Sequence, residues 1–86
     1  MKIVSEPIEV VAIFRRKGYP EPVKFRHIQD GMNVKVNVDK VIRVDETGIV
    51  GARTLVYVCQ SEINGTMKPY ELKYNLDKYA WELYKI

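Results

Sequence analysis

The sequence contains a single cysteine and a single histidine. Cys59 cannot form a disulfide within the chain, whereas small secreted domains usually carry several. One cysteine and one histidine also cannot complete the four-ligand site that structural zinc requires. We therefore expect a protein of the reducing cytoplasm that holds no metal and no other cofactor.

Long apolar runs are missing as well. No stretch approaches the roughly 18 uncharged apolar residues that a membrane-spanning helix needs. The first ten residues place Glu6 and Pro7 ahead of any apolar run of useful length, so they resemble neither a signal peptide nor an anchor. The expectation is a protein that is neither exported nor inserted into a membrane.

Catalytic motifs are absent too. The sequence has no glycine-rich phosphate loop of the P-loop or dinucleotide-binding type. His27 falls in phase with Val23 and Phe25, which predicts a partly buried, hydrogen-bonded histidine. Cys59 lies on an apolar strand face without a flanking basic residue, which is typical of a small buried hydrophobe. We find no catalytic pair of carboxylates and no evident small-molecule ligand, and we expect no enzyme activity.

The sequence does contain several segments in which apolar and polar residues alternate, and its length suits one domain. At 86 residues with 47% hydrophobic content, the chain can bury one core, so residues 1–86 are predicted to form a single domain. Turn residues separate the strand-like runs, with Asn64-Gly65 the clearest tight hairpin. The predicted strands are 7–17, 23–28, 33–46, 53–63, 66–74 and 79–86.

The alternation also predicts how these strands are arranged. The apolar phase slips at Asp39 and Lys40, so we expect a bulge or bend there. No window keeps a helical apolar face, and only residues 46–52 leave room for a helical turn. A short chain of strands must protect its edges. We predict an all-β fold, a small antiparallel five- or six-stranded barrel that is SH3-like or similar, with at most one short helical turn.

Four of the six tyrosines and the only tryptophan fall within residues 68–86. Alternation places Tyr70, Leu72 and Tyr74 on one face of a strand, and Trp81 with Tyr79 and Leu83 on one face of the next. If the two strands pair, a continuous wall of the core is formed by Tyr70, Leu72, Tyr74, Trp81 and Leu83. We expect Trp81 to be buried and Tyr84 to be more exposed.

The net charge of +3 is unevenly distributed, because residues 1–43 hold nine Lys or Arg against five acids. The basic side chains concentrate in a predicted hairpin over residues 15–27, with an aromatic ring at its tip. The candidate nucleic-acid-binding residues are Arg15, Arg16, Lys17, Tyr19, Lys24 and Arg26. Such a cluster can hold phosphates and stack a base, but basic residues also protect a sheet edge against pairing. Both interpretations remain open.

Several segments taken in order resemble a family of short, uncharacterised bacterial all-β proteins. They are "EPIEVVA" (6–12), "EPVKFRH" (21–27), "VDKVIRVDE" (38–46), "YVCQ" (57–60) and "YELKYNLDKYAWELYKI" (70–86). The resemblance covers most of the chain and carries no active-site residues. It implies a stand-alone small barrel of unknown function that serves nucleic-acid transactions.

The sequence therefore favours a non-catalytic binding or accessory module. The first hypothesis is that it binds a protein partner or a second copy of itself through an exposed strand edge, such as 53–63 or 79–86. The alternative is weak, sequence-tolerant binding of nucleic acid through the basic hairpin 15–27.

Overall fold

The computed structural model describes residues 1–50 and 52–86, and these residues form seven β-strands and no helix. The all-β prediction is confirmed. The strands are β1 (Ile3–Ile13), β2 (Glu21–Gln29), β3 (Met32–Asn37), β4 (Lys40–Thr47), β5 (Thr54–Ile63), β6 (Thr66–Asn75) and β7 (Ala80–Lys85).

The strand count exceeds the predicted five or six because the run 33–46 is divided. The chain leaves the extended ladder at Val38 and Asp39, beside the slip in the apolar phase, and this break separates β3 from β4. The helical turn allowed over 46–52 is replaced by the end of β4 and a turn, in which the Ala52 amide donates to the Ile49 carbonyl at 2.8 Å. Gly51 lies outside the described residues.

All neighbouring strands pair antiparallel, in the order β3-β2-β1-β7-β6-β5-β4. The sheet curls into a half-barrel, so the predicted SH3-like barrel is not matched exactly. β3 and β4 follow each other in the chain yet occupy the two opposite edges of the sheet. The short connection between them therefore joins the two edges across the opening of the half-barrel.

Two hairpin turns follow directly from their dipeptides. Asp30 and Gly31 have φ values of 51° and 76°, and Asn64 and Gly65 have values of 53° and 78°. Positive φ at both central residues is the geometry of a type I′ turn, which Asn-Gly and Asp-Gly adopt most readily. The tight hairpin predicted at Asn64-Gly65 is confirmed.

Strand β1 is shared between two partners. Its residues 3–8 pair with β7, whereas residues 9–13 pair with β2. An irregularity in the β7 pairing falls between Ile3 and Glu6, where Ser5 has a φ of 45°. The sheet thus has a three-stranded part, formed by residues 9–13 with β2 and β3, and a five-stranded part, formed by residues 3–8 with β7, β6, β5 and β4.

The core lies on the inner face of the curled sheet. The buried hydrophobic residues are Phe25, Val36, Leu55, Tyr57, Cys59, Tyr70, Leu72, Tyr74 and Leu83. The outer face carries the alternate residues, which are mostly polar or charged. Burial of one face and solvation of the other is what the period-two pattern predicts.

The predicted aromatic wall is largely confirmed. Trp81 is half-buried rather than fully buried, with its ring 4.6 Å from that of Tyr74 and 5.3 Å from that of Tyr57. Tyr84 lies on the outer face and is also half-buried, because the Lys73 ammonium sits 3.5 Å from its ring centre. The placement of Tyr79 was wrong, since it stands in a turn with a φ of 56° and is 80% exposed.

Candidate functional site

The six candidate residues of the basic hairpin do not form one cluster. Arg15, Arg16, Lys17 and Tyr19 belong to the loop 14–20 between β1 and β2, whereas Lys24 and Arg26 lie on β2 itself. Strand alternation directs the side chains of Lys24 and Arg26 to the outer face, opposite to the buried Phe25. The structure therefore places the candidates partly on a loop and partly on a sheet surface.

The loop 14–20 is held against one end of the half-barrel. The buried Tyr57 hydroxyl donates to the carbonyl of Pro20, and the Phe14 ring contacts that of Tyr74 edge-on at 6.1 Å. The exposed Tyr19 hydroxyl donates to the Glu46 carboxylate on β4 at 3.2 Å. The same hydrogen bond and the charge of Glu46 raise the pKa of Tyr19. These contacts fix the loop at both of its ends.

Two of the candidate cations are already paired. Arg15 contacts Glu21 at 2.9 Å, and Arg26 contacts Glu9 across the β1–β2 pair at 2.6 Å. Among the described residues, the ion pairs leave Arg16, Lys17 and Lys24 unengaged. Exposed pairs of this kind contribute little stability, but they occupy charges that would otherwise face a ligand.

Sequence reasoning missed one basic residue on this surface. Lys35 on β3 lies directly opposite Arg26 and diagonally from Lys24. The alternation of Asn33, Lys35 and Asn37 already indicated an outward-facing lysine. Its neighbours could not be identified, because the sequence does not reveal the register between β2 and β3.

Both strands predicted as exposed edges proved to be interior. β5 pairs with β4 on one side and with β6 on the other, and β7 pairs with β6 and with β1. The suggestion of edges at 53–63 and 79–86 is therefore wrong. The edges of the sheet are β3 and β4.

The β4 edge carries several features that discourage pairing with another strand. Four of its eight residues are charged: Lys40, Arg43, Asp45 and Glu46. The register with β5 shifts between Val41 and Arg43, so the half-exposed Ile42 forms a bulge. Charge and bulges are the usual protection of a sheet edge.

The β3 edge has little of this protection within its described strand. Its pairing with β2 runs without a shift from the pair Lys24 and Asn37 to the pair Gln29 and Met32. Lys35 is the only charged residue among its six. A regular and lightly charged edge is a ready template for an added strand.

The orientation of the β3 backbone follows from two hydrogen bonds beyond the ladder. The Val38 amide donates to the Val23 carbonyl on β2, whereas the Asn37 carbonyl accepts from the Ser61 hydroxyl on β5. Successive residues of a strand direct their backbone groups to opposite sides. Asn33, Lys35 and Asn37 therefore present their amides and carbonyls away from β2, towards the free edge.

A groove of about 370 Å³ runs along this edge. Residues 34–37 line one side, and Asp39 with residues 62–64 line the other. Residues 61–63 extend past the start of β4, because the β4–β5 pairing begins at Lys40 and Gln60. The free side of β3 thus faces the unpaired end of β5.

A polar network centred on the buried Ser61 borders the groove. The Ser61 hydroxyl donates to the Asn37 carbonyl at 2.6 Å and accepts from the Asp39 amide at 3.3 Å. Because that hydroxyl has one proton, the contact with Tyr70 requires the Tyr70 hydroxyl to donate to Ser61. The Asp39 carboxylate accepts from the Glu62 amide at 2.7 Å. The network ties the β3–β4 connection to β5 and β6.

His27 and Glu6 meet where β1 separates from β2. The half-buried His27 places Nδ1 at 4.0 Å from Oε1 of Glu6. The other oxygen of Glu6 accepts from the backbone amide of Ile28 at 2.7 Å. The β1–β2 pairing ends at Glu9 and Arg26, so β1 provides no backbone acceptor for the Ile28 amide. The Glu6 carboxylate replaces that acceptor and thereby has a structural role.

Cys59 is fully buried, and desolvation raises the pKa of its thiol to about 12. The expected small-hydrophobe role is consistent with this environment, because a reactive cysteine needs an accessible thiolate. Within residues 1–50 and 52–86, three or more His, Cys, Asp or Glu side chains nowhere gather in a metal-binding arrangement. The same residues contain no helix of the length and apolarity needed to cross a bilayer.

Comparisons with models of protein families, with curated proteins and with solved structures found no match. The resemblance to short bacterial all-β proteins stays a prediction.

Proposed function

We propose that this protein is a non-catalytic binding module that takes up an extended segment of another polypeptide as an additional strand on β3. One observation carries the proposal: a regular edge with a single charged residue faces a groove of about 370 Å³. The proposal keeps the expected protein–protein function but moves it from β5 and β7 to β3.

The backbone supplies the affinity in this mode of binding. Three residues with the same alternation, Asn33, Lys35 and Asn37, direct amides and carbonyls to the free edge. An incoming strand can pair with these groups in a sequence-independent way, as in other cases of strand addition. The Asn37 carbonyl already accepts a hydrogen bond from the Ser61 hydroxyl. The backbone groups available to an added strand are therefore those of Asn33 and Lys35, nearer Met32.

Side chains supply the selectivity. Val34 and Val36 lie on the inner face of β3, and the half-buried Ile63 lies across the groove. Alternate side chains of an added strand would point inward to these three residues and outward to water. The preferred ligand is therefore a short extended segment with aliphatic residues at every second position.

A proline substitution can test the proposal without disturbing the existing ladder. Because the Lys35 amide points away from β2, Lys35→Pro removes a donor from the free edge only, at a position where sheets tolerate proline. Lys35→Ala is the matched control, since it removes the charge and keeps the donor. Random peptides displayed on phage would be selected on the wild-type protein and tested on both variants.

The expected result is a set of peptides with alternating aliphatic residues that bind the wild type and Lys35→Ala but not Lys35→Pro. Equal binding to all three folded proteins, or no enrichment, would contradict the proposal. Analytical ultracentrifugation over a range of concentrations tests whether a second copy of the protein binds at the β3 edge. A dimer that Lys35→Pro abolishes and Lys35→Ala preserves would identify a second copy as the partner in place of another protein.

The bent segment 32–47, which contributes to both edges, is the feature that supports a relation to SH3-like barrels. Residence in the cytoplasm is supported by the lone, buried Cys59. An assignment as a stand-alone module of the bacterial all-β type would follow from the segments that carry that resemblance.

A further inference from the structure

The net charge of the protein belongs to one continuous segment. Residues 9–37 contain six Lys or Arg and three Asp or Glu, while the remaining residues contain eight of each. The whole net charge of +3 therefore lies on loop 14–20 and the three-stranded part of the sheet, with its β2–β3 turn. A concentration of one sign on one part of a surface attracts a partner of the opposite sign.

Two cations of loop 14–20 and two on the outer face of β2 and β3 are exposed, and among the described residues none of the four has a carboxylate within ion-pair distance. They are Arg16, Lys17, Lys24 and Lys35. Lys24 and Lys35 share the outer face of neighbouring strands in diagonal positions, which corresponds to a separation of about 7–8 Å. Two flexible lysine side chains at such positions can both reach the backbone of one nucleic-acid strand.

Exposed aromatic rings bracket the loop cations. Phe14 is 65% exposed and Tyr19 is 46% exposed, even though both are anchored, Phe14 through Tyr74 and Tyr19 through Glu46. An anchored ring loses little conformational freedom when a base stacks on it. Stacking requires unpaired bases, and combined with free cations it is the common arrangement for binding single strands.

We propose that loop 14–20 and the outer face of β2 and β3 bind single-stranded nucleic acid, with Arg16, Lys17, Lys24 and Lys35 at phosphates and Tyr19 as a stacking platform. This surface uses side chains on the outer face, whereas strand addition uses the free backbone edge of β3, and Lys35 contributes to both. The inference therefore goes beyond the proposed strand addition. It also redefines the site expected from the sequence, because Arg15 and Arg26 are held by Glu21 and Glu9.

The number of phosphate contacts determines the salt dependence. Four contacts on a single strand give a slope of log affinity against log salt of about −2.8, which is roughly a 50-fold loss between about 50 and 200 mM salt. Removal of two contacts should halve the slope. Sequence preference should be small, because stacking and phosphate contacts do not read base edges.

The test measures fluorescence anisotropy of labelled oligo-dT and oligo-U strands of about 12 nucleotides over a salt series. Two charge variants remove site residues, Arg16→Ala with Lys17→Ala, and Lys24→Ala with Lys35→Ala. Lys68→Ala with Lys78→Ala lowers the net charge equally from exposed positions outside the surface. Each site variant should lose affinity at low salt and flatten the slope, whereas the control pair should change little.

Substitutions of tyrosine test the stacking component. Tyr19→Ala should weaken binding about tenfold, and Tyr19→Phe, which keeps the ring, should retain most of it. Tyr79→Ala is the control, because Tyr79 is exposed but lies in the β6–β7 turn. Loss of binding in Tyr79→Ala to the same extent would contradict the assignment.

Three further outcomes would overturn the proposal. They are the absence of binding at about 20 mM salt, an equal loss in the control pair and both site pairs, and tighter binding to vesicles of phosphatidylglycerol than to either oligonucleotide. The first means that the surface is solvated only, the second that attraction is diffuse, and the third that the partner is a lipid surface. Lys35→Pro and Lys35→Ala both remove the charge of Lys35 and should weaken oligonucleotide binding equally, whereas only Lys35→Pro should abolish peptide binding; this difference would separate the two sites.

Discussion

Replacing Ser61 by alanine should destabilise the protein far more than the loss of one oxygen suggests. Ser61 is completely buried, and its hydroxyl serves Asn37, Asp39 and Tyr70 at once. Alanine leaves the buried Tyr70 hydroxyl and the Asn37 carbonyl without this partner. A buried polar group left unsatisfied costs about 1–3 kcal/mol, so we expect Ser61→Ala to lower the free energy of unfolding by about 2–4 kcal/mol.

Urea denaturation followed by circular dichroism would measure this loss. With an m-value of about 1.5 kcal/mol per molar urea, the midpoint should fall by about 2 M. Tyr70→Phe is the companion variant, because it removes one donor and leaves Ser61 with two partners. It should cost about 1 kcal/mol.

The double variant distinguishes a coupled network from independent contacts. In Ser61→Ala with Tyr70→Phe the orphaned hydroxyl is gone, so the combined loss should be about 1 kcal/mol smaller than the sum of the single losses. A Ser61→Ala protein within about 0.5 kcal/mol of wild type, or strictly additive losses, would refute the reasoning about the network.

Four other outcomes follow from the described contacts. Burial raises the pKa of Tyr57 and Tyr70 above the value of 10.0 that each has when unfolded. The stability that this shift contributes is therefore intact below pH 10, and above pH 10 the free energy of unfolding should fall by about 1.4 kcal/mol per pH unit for each tyrosine. Tyr70→Phe should halve this slope, because one of the two titrating groups is removed. Trp81→Ala should cost about 2–3 kcal/mol in urea denaturation, less than a fully buried ring would, because the indole is half-exposed; no loss would show that its ring contacts do not stabilise the core. Tyr79→Gly should raise the thermal midpoint, since it removes a left-handed conformation from a residue with a Cβ, and a lowered midpoint would contradict that. Cys59 should resist alkylation until the protein unfolds, so rapid labelling under native conditions would disprove its burial.

The sequence predicted the local features because local chemistry decides them. Alternation identified the strands, Asn64-Gly65 identified a turn, and the phase slip beside Asp39 identified the bend. Each of these signals lies within a few residues, where backbone preference and side-chain period act directly. The same signals placed Tyr70 and Leu72 in the core.

Long-range pairing could not be predicted in this way. Nothing local to Lys35 indicates that Arg26 lies opposite, and nothing in β5 or β7 indicates that each has two neighbours. The pairing partners of a strand depend on the closure of the whole sheet, which distant residues determine. Both candidate surfaces could therefore be identified only from the strand pairing. The strand order shows that β3 is an edge and that β5 and β7 are not, and the β2–β3 register places Lys35 diagonally from Lys24.

The division of β1 between two partners has a consequence for how the chain acquires its structure. Its second half can pair with β2 as soon as the first hairpin exists, but its first half must wait for β7, since Ile3 pairs with Lys85. During synthesis, residues 3–8 therefore remain an exposed and partly apolar strand until β7 has left the ribosome. Such separated pairing slows folding and lengthens exposure to aggregation.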